Sequence, residues 1–247
     1  MCPDPIDDEQ HAVLILSTYK ADFFDNKDPV LMDFAGKTYE TLSFEYDDAT
    51  EVYASCGAYY QGVHYVFGGA QESRQVSRIQ GCRLIRESSV PFTFQNGACG
   101  IFFDPNLGKE VVLLCFDDDA NLSDNTKDAK VCYEYDGTQW SSVSDYPKLP
   151  ETRYHHTKIR LADYKGTPFA VAGQETNQVE SFNFGTKKWV VGASYTLASG
   201  GLSQFAVINF REYFVIMGGL KNQGGQKIPS NEITEYRDGK WRKIGEV

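Results

Sequence analysis

The segment FAVINFREYFVIMGGLKNQGGQKIPSNEITEYRDGKWRKI, residues 205 to 244, decides the fold of this chain. Its apolar runs 205–209 and 213–217 are separated by a polar turn, and this arrangement predicts a β-hairpin. Gly218 and Gly219 then lead into a polar loop. The runs 232–236 and 240–244 predict a second hairpin, because Asp238 and Gly239 between them suit a tight turn. The segment therefore predicts four short antiparallel strands.

The same arrangement recurs along the chain. Three aromatic residues are each followed five positions later by a tryptophan: Tyr135 by Trp140, Phe184 by Trp189, and Tyr236 by Trp241. Apolar runs upstream end in doublets at 117–118, 172–173 and 218–219, and a further run ends at 68–69 without a tryptophan. Self-similarity at about 50 residues is typical of stacked sheets, because one such unit cannot bury its apolar faces without neighbours.

Strand-like runs at 99–103 and 111–116, and again at 158–162 and 169–171, repeat the first hairpin of this unit. An apolar run ending in Gly-Gly, a variable loop, and closely spaced Tyr and Trp together resemble the kelch repeat of β-propellers. The resemblance covers residues 51–247. It implies an all-β, kelch-like β-propeller of four-stranded antiparallel blades, at 51–96, 97–150, 151–199 and 200–247, within a single domain 1–247. The departures are Asp117-Asp118, Ala172-Gly173 and a first unit without Tyr and Trp.

The segment SCGAYYQGVHYVFGG, residues 55–69, also resembles an invertebrate extracellular group of kelch-type proteins. Residues 1–50 contain strand-like runs at 13–16, 30–34 and 42–44 but no doublet and no tryptophan. They are interpreted as a degenerate fifth blade, or as strands of a partial blade whose other strands would follow residue 247.

Composition excludes several partners. The chain carries 34 acidic and 24 basic residues, a net charge of −10, and no stripe of Lys or Arg. Nucleic acid and anionic membrane are therefore poor partners. The apolar runs have the length of strands, so no membrane span is predicted.

The cysteines bear on the compartment. Cys99 and Cys115 are symmetric about Leu107, so a regular hairpin would place them opposite each other as a candidate disulfide. The alternative is two buried free thiols. The start of the chain shows no signal peptide. The six cysteines and the glycosylation sequon at Asn121 nevertheless favour an extracellular location, with a cytoplasmic one as the alternative.

The acidic loop 117–128 follows the spacing of a calcium loop. Its oxygen-bearing residues at positions 1, 3, 5, 7, 9 and 12 are Asp117, Asp119, Asn121, Ser123, Asn125 and Asp128. Leu122 stands where the loop needs glycine, and a solvated acidic loop is the alternative. Glycosylation of Asn121 would remove it as a ligand.

The four histidines, His11, His64, His155 and His156, are interpreted as structural or exposed. Adjacent residues on a strand point to opposite faces, so His155 and His156 are poorly placed to share a metal. Phosphate-loop, nucleophile-elbow and zinc-helix motifs do not occur in the sequence.

The sequence thus predicts a non-catalytic module that binds a protein or glycan through its loops, without a cofactor. Phe23, Phe24 and Tyr146 are candidate contact residues. One alternative is a hydrolase or oxidase with its site in the propeller mouth, which would require converging ionisable groups. Another is an intracellular substrate adaptor.

Overall fold

The computed structural model describes residues 55–69, 74–80, 83–94, 97–116, 131–145, 159–173, 176–192, 194–195, 200–210 and 212–246, and the backbone of strands at 12–15, 30–33, 38–41 and 45–46. These parts of the chain contain strands and turns but no helix. The chain divides into two compact units, Met1–Gln95 and Asn96–Val247. The division falls beside the predicted blade boundary after residue 96. A single domain over the whole chain stays a prediction.

The described part of unit 1 contains eight strands. They are β1 Ala12–Ile15, β2 Val30–Asp33, β3 Thr38–Thr41, β4 Glu45–Tyr46, β5 Cys56–Tyr60, β6 Val63–Phe67, β7 Gln75–Gln80 and β8 Arg83–Ser89. The first three form an antiparallel sheet in the order β1-β2-β3. The predicted runs 13–16 and 30–34 are therefore strands, whereas 42–44 lies outside the described residues. Among the described residues this sheet has three strands, against the four of a blade.

The second sheet of unit 1 has the order β4-β8-β7-β6-β5, in which β5 to β8 form an antiparallel meander and β4 pairs with β8 in parallel. Its buried side chains include Tyr60, Phe67, Val76 and Leu84. Burying aromatic and aliphatic side chains of this size is the main favourable term in the folding of such a sheet.

The residues that the structure describes in unit 2 form three four-stranded antiparallel sheets, each with its strands paired in chain order. The first sheet consists of β9 Ala98–Asp104, β10 Lys109–Cys115, β11 Val131–Tyr135 and β12 Trp140–Asp145. The second consists of β13 Leu161–Tyr164, β14 Thr167–Val171, β15 Val179–Asn183 and β16 Lys188–Val191. The third consists of β18 Ala206–Asn209, β19 Tyr213–Met217, β22 Glu232–Arg237 and β23 Lys240–Glu246. These sheets confirm the all-β prediction and the four-stranded antiparallel unit.

Three short strands were missed in the sequence. The three form one small sheet. β17 Leu202–Ser203 precedes β18 in the chain, whereas β20 Leu220–Gln223 and β21 Gln226–Pro229 lie between β19 and β22. The sequence predicts only a polar loop there. Gly224 and Gly225 have φ values of 60° and 83°, which close a two-residue hairpin. β20 and β21 are half-buried or exposed, so they lack the alternation that marks a strand, and β17 is buried but only two residues long.

A left-handed residue follows the second strand of each four-stranded repeat. It is Gly68, Phe116, Ala172 or Gly218, with φ values of 68°, 62°, 51° and 67°. The backbone N–H of Gly68, Ala172 and Gly218 donates to the chain at or just before the third strand, at 2.8–3.0 Å. The predicted doublet Asp117-Asp118 is thus placed one residue too late, because Phe116 takes the first glycine's position.

The aromatic and tryptophan pairs lie where the third and fourth strands meet. Tyr135 is opposite Trp140, and Tyr236 is opposite Trp241, with ring centroids 5.0 Å and 4.7 Å apart. Trp189 is instead opposite Phe182, at 5.3 Å. The hairpin closes between Asn183 and Lys188, so the predicted partner Phe184 falls in the turn.

One hydrophobic core runs through the three sheets of unit 2. Its largest buried side chains are Phe116, Leu113, Phe182, Phe214, Ile216 and Tyr195. Tyr164 of the second sheet contacts Phe214 and Tyr236 of the third sheet, with centroids 6.5 Å and 5.1 Å away. Such aromatic contacts join neighbouring sheets, as expected of units that cannot bury their faces alone.

Candidate functional site

The disulfide prediction is corrected by the strand register. Cys115 is bonded to Cys132 on β11 and not to Cys99. The β9–β10 turn contains four residues between Asp104 and Lys109, so Cys115 lies opposite Ala98 and Cys99 lies opposite Leu114. Since Cys115 lies directly opposite Cys132, their Cα atoms are 4.2 Å apart.

All four cysteines in the described part of the chain are oxidised. Cys56 and Cys99 are disulfide-bonded as well, so no free thiol occurs among Cys56, Cys99, Cys115 and Cys132. The indole N–H of Trp189 donates to Cys132 Sγ at 3.1 Å. Disulfides of this kind persist in oxidising environments.

Most predicted site residues lie outside the described residues. These are the calcium candidates Asp117, Asp119, Asn121, Ser123, Asn125 and Asp128, with Asn121 also the glycosylation candidate, and the residues Phe23, Phe24, Tyr146, His11, His155 and His156. Their roles stay predictions. His64 is exposed on β6 with its ring centroid 4.5 Å from that of Tyr59. Within the described ranges, no group of three or more His, Cys, Asp or Glu side chains is arranged to hold a metal ion.

The candidate site is a surface of unit 2 that we call the turn face. It is formed by four hairpin turns, namely those joining β9 to β10, β13 to β14, β15 to β16 and β18 to β19. Two open clefts lie on it, and both are lined by Lys165 and Gly166 of the β13–β14 turn. This turn therefore separates the clefts.

The β13–β14 turn has a fixed geometry. Tyr164 pairs with Thr167, and Lys165 and Gly166 between them have φ values of 54° and 80°. Two consecutive positive φ values define the two-residue type I′ turn, whose twist matches that of the strands it joins. Lys165 is consequently held at the tip of a tight hairpin and not on a long loop.

Cleft 1 lies between the first and second sheets and has a volume of about 590 Å³. Phe103 and Val190 line it with side chains that are 53% and 50% exposed, beside Pro105. Phe182 and Phe184 line it as well and are themselves buried. Exposed apolar side chains grouped around a concave surface are typical of sites that bind a partner.

A buried ion cluster joins the two sheets that form cleft 1. Lys187, in the β15–β16 turn, donates to Asp104 Oδ2 at 2.6 Å and to Glu134 Oε2 at 2.5 Å. Its ammonium also lies 5.3 Å from the Phe184 ring centroid. Both carboxylates are almost fully buried, so the lysine neutralises charges that water cannot reach.

Cleft 2 lies between the second and third sheets and has a volume of about 520 Å³. Apart from the shared turn, it is lined by Asp163, Asn209, Phe210 and Glu212. The Asp163 backbone N–H donates to Asn209 Oδ1 at 2.9 Å, which fixes the two sheets together at the cleft. Asp163 Oδ1 accepts from Gly166 N at 2.8 Å. Burial raises the pKa of the Asp163 carboxyl, although this hydrogen bond opposes the shift.

Phe210, which lines cleft 2, belongs to an aromatic stack. The ring of Phe210 lies parallel to that of Tyr213, with centroids 4.4 Å apart and planes 12° apart. The Arg237 guanidinium lies 3.8 Å from the Tyr213 centroid. Two groups this close cannot share one face of a ring, so Arg237 and Phe210 cover opposite faces of Tyr213. Phe210 remains 43% exposed.

Lys165 and Glu212 form an exposed ion pair at cleft 2. Lys165 Nζ is 3.4 Å from Glu212 Oε2 and 5.3 Å from the Tyr164 ring centroid. Glu212 raises the pKa of the Lys165 ammonium, so the lysine is charged at neutral pH. Exposed pairs of this kind add little to stability.

Glu180 is a buried carboxyl that lines neither cleft. It lies on β15, and burial raises its pKa to about 8. The side chain therefore holds its proton at neutral pH. Perturbed carboxyls are often functional, but Glu180 is separate from the clefts of the turn face.

Phe103, Phe210 and Lys165 were not singled out in the sequence. The available signal was an aromatic residue at or beside a hairpin turn, where polar residues are expected. Phe103 is one residue before the end of β9, and Phe210 directly follows β18. Their convergence on neighbouring clefts depends on how the sheets stack.

The class that these sheets and turns define is a propeller-like all-β protein. No family model matches the chain, and no curated protein matches it. The chain is similar to the solved structure named "Structure of YjhT", a kelch-type β-propeller protein, with a TM-score of 0.65. The identity is 16%, over 90% of this chain and 78% of that one, so the likeness concerns the fold.

The described residues contain no helix long and apolar enough to span a membrane.

Proposed function

We propose that this chain is a non-catalytic, extracellular module that binds a protein partner through the turn face of unit 2. The observation that carries the proposal is the pair of adjoining clefts, each with an exposed aromatic side chain, Phe103 in cleft 1 and Phe210 in cleft 2. Aromatic residues at the centre of a concave surface contribute much of the binding energy in protein interfaces. The sheets themselves are inferred to be kelch-type blades.

The framework around the clefts is suited to rigid binding. Lys165 is held in a two-residue turn, and the hydrogen bond from Asp163 N to Asn209 joins the second and third sheets. Lys187 joins the first and second sheets. A preorganised surface loses less conformational entropy on binding, which favours affinity.

The compartment is inferred from the disulfides. Four described cysteines are oxidised, and Cys115 and Cys132 are nearly inaccessible to solvent. Secretion is the usual setting for such pairs, since cytosolic thiols are kept reduced. A mass measurement of the native protein without reductant tests this, and free Cys115 and Cys132 thiols would contradict it.

The binding proposal is tested by differential affinity capture. The folded chain is immobilised beside a double variant, Phe103→Ser with Phe210→Ser, and both are exposed to the same extracellular protein mixture. Both side chains are already half exposed, so the variant is expected to fold. Proteins retained by the wild type and lost by the variant are then isolated, and their dissociation constants are measured directly.

A matched control separates a specific loss from a general one. Tyr59→Ser removes an aromatic side chain that is 55% exposed in unit 1. The proposal predicts at least about tenfold weaker binding for the double variant, as expected for losing two interface anchors, and unchanged binding for the control. Equal binding by all three proteins would contradict it. Retention of free glycans instead of proteins would assign the surface to a glycan ligand.

A further inference from the structure

We propose that cleft 2 binds a cationic side chain of the protein partner, a lysine ammonium or an arginine guanidinium. Phe210 supplies an aromatic surface for the cation, and Asp163 and Glu212 supply the compensating negative charge. This inference rests on the proposed function, because it names the chemical group that the turn face recognises. Cleft 1, with Phe103 and Val190, would receive an apolar group beside it.

The first element is the aromatic stack. Tyr213 covers one face of Phe210, so the exposed part of the Phe210 ring belongs to its edge and its other face. Phe210 also lines the cleft. Its position is fixed, because its backbone N–H donates to Tyr213 O at 2.8 Å and Arg237 stacks behind Tyr213. A cation within about 6 Å of such a ring is attracted by its quadrupole.

The second element is the charge around the ring. Asp163 and Glu212 both line cleft 2, and Glu212 keeps 65% of its side chain exposed. The whole chain carries a net charge of −10, which favours approach by a basic partner over an acidic one. Charge complementarity therefore favours a cation over a neutral sugar.

The third element is Lys165, which already places an ammonium group at this cleft. Its Nζ lies 3.4 Å from Glu212 and 5.3 Å from the Tyr164 ring, between a carboxylate and an aromatic ring. Since the pair is exposed and weak, an incoming cation can take the place of Lys165 at Glu212. Lys165 therefore acts as a competitor that an external cation displaces.

The test uses small probes and the ¹⁵N-labelled full chain. The probes are the peptides acetyl-Gly-Arg-Gly-amide, its citrulline counterpart and its glutamate counterpart, together with N-acetylglucosamine. The arginine peptide is expected to shift the amide signals of Gly166 and Phe210 with a millimolar dissociation constant. Citrulline has the same shape without the charge, so we expect it to bind about 2- to 5-fold more weakly, the range of an exposed cation–π contact.

Two substitutions give opposite results if the inference holds. Phe210→Leu removes the ring and is expected to weaken binding of the arginine peptide about 2- to 5-fold. Lys165→Met removes the competitor and its like charge, and is expected to strengthen that binding about 2- to 3-fold. Tyr59→Leu is the control and leaves the affinity unchanged, because it replaces an aromatic residue of unit 1 that is exposed to a similar extent, 55% against 43% for Phe210.

Three results would overturn the inference: no amide shift at Gly166 or Phe210 with the arginine peptide, equal binding of citrulline, or saturation by N-acetylglucosamine at the same amides. Such a result is distinguishable from a failure of the proposed function. If the captured partner still loses affinity with Phe103→Ser alone, the turn face is a binding surface and only the cation is wrong. If the Phe103→Ser variant binds the partner as wild type does and the arginine peptide shifts neither amide, both proposals fail.

Discussion

Lys187 shows at the scale of one residue how neighbouring sheets are held together. Its ammonium group lies between Asp104 and Glu134, two carboxylates of another sheet that are almost without access to water. Burial alone would raise the pKa of Asp104, but the hydrogen bond and charge of Lys187, together with backbone hydrogen bonds from Asn106 and Leu107, outweigh it and the pKa is lowered. Burial likewise opposes the charge on Lys187, and the two carboxylates reverse this and raise its pKa. Both shifts favour the charged pair.

Replacing Lys187 with Met is expected to lower the free energy of unfolding by about 2 to 4 kcal/mol. The substitution leaves two buried carboxylates without their cation. The free-energy cost of unpaired buried charges exceeds the net stabilisation that the ion pair itself provides. The lower part of the range reflects the partial exposure of the lysine. Urea unfolding followed by tryptophan fluorescence measures the change. Lys188→Met, an exposed neighbour, is the control and should differ from wild type by less than about 0.5 kcal/mol.

The difference in the free energy of unfolding between wild type and Lys187→Met should depend on pH. The pKa of Asp104 is lower in the folded than in the unfolded state. Its contribution to the free energy of unfolding is therefore complete above the unfolded-state pKa of about 4, and it is lost as the pH falls through the folded-state pKa. The stability difference between wild type and Lys187→Met should therefore be largest near pH 7 and shrink as the pH falls to about 4 and below, because removing Lys187 raises the pKa of Asp104 in the variant, which then takes up its proton at a higher pH than wild type does. A difference that persists unchanged at pH 2 would contradict the ion-pair explanation.

At the scale of elements, the left-handed residue after the second strand is the feature shared by the four-stranded repeats. In the sequence, the doublets Gly68-Gly69 and Gly218-Gly219 indicate this left-handed position, since glycine adopts positive φ without strain. Phe116 gives no such signal, because a bulky side chain is uncommon at positive φ. Its conformation is held by the surrounding structure. The sequence therefore predicts the strands on either side, but it predicts this turn at Asp117-Asp118, one residue after the left-handed residue Phe116.

Two glycine substitutions should differ although their backbone angles agree. Gly218→Ala is expected to cost about 1 to 2 kcal/mol, the penalty of a Cβ in the left-handed region, because the nearest atom, Ser230 O, would be 3.5 Å away. Gly68→Ala should cost about 1 to 3 kcal/mol more, since its Cβ would lie 1.8 Å from Phe94 O. Thermal unfolding of both variants measures this. Equal shifts in Tm would contradict the close approach of Phe94 O to a Cβ at position 68.

The cysteine pairing illustrates what spacing alone leaves open. Symmetry about Leu107 predicted Cys99 opposite Cys115, but the register is shifted by one residue and Cys115 meets Cys132. A shift of one residue in a strand exchanges its two faces, so pairing depends on turn length. Turn length in turn depends on how Asp104 closes the hairpin, with its Oδ1 accepting from Asn106 N at 2.7 Å.

Removing the Cys115–Cys132 bond, by replacing both cysteines with alanine, is expected to lower the free energy of unfolding by about 2 to 4 kcal/mol. The bond joins residues 17 positions apart and restricts the unfolded chain. Both sulfurs are buried, so reductant should leave the native wild type intact and act only once urea unfolds it. Rapid reduction of the folded protein, or a double variant as stable as wild type, would contradict this description.

At the scale of the whole molecule, the repeat determines much of the fold and little of the site. The spacing of about 50 residues predicted stacked four-stranded sheets, because each sheet needs a neighbour to bury its faces. The clefts arise only where turns from different sheets meet, as Asp163 meets Asn209 and Lys165 meets Glu212. No local pattern encodes such a meeting, so Phe103 and Phe210 carried no functional signal in the sequence.

The central claim is that the turn face of unit 2 is the contact surface. Hydrogen–deuterium exchange of the chain, measured with and without its captured protein partner, tests it most directly. The claim predicts slower exchange on binding at the turns 164–167 and 209–213, with the hairpin 220–229 unchanged. Slower exchange at 220–229 with no change at 164–167 and 209–213 would contradict it.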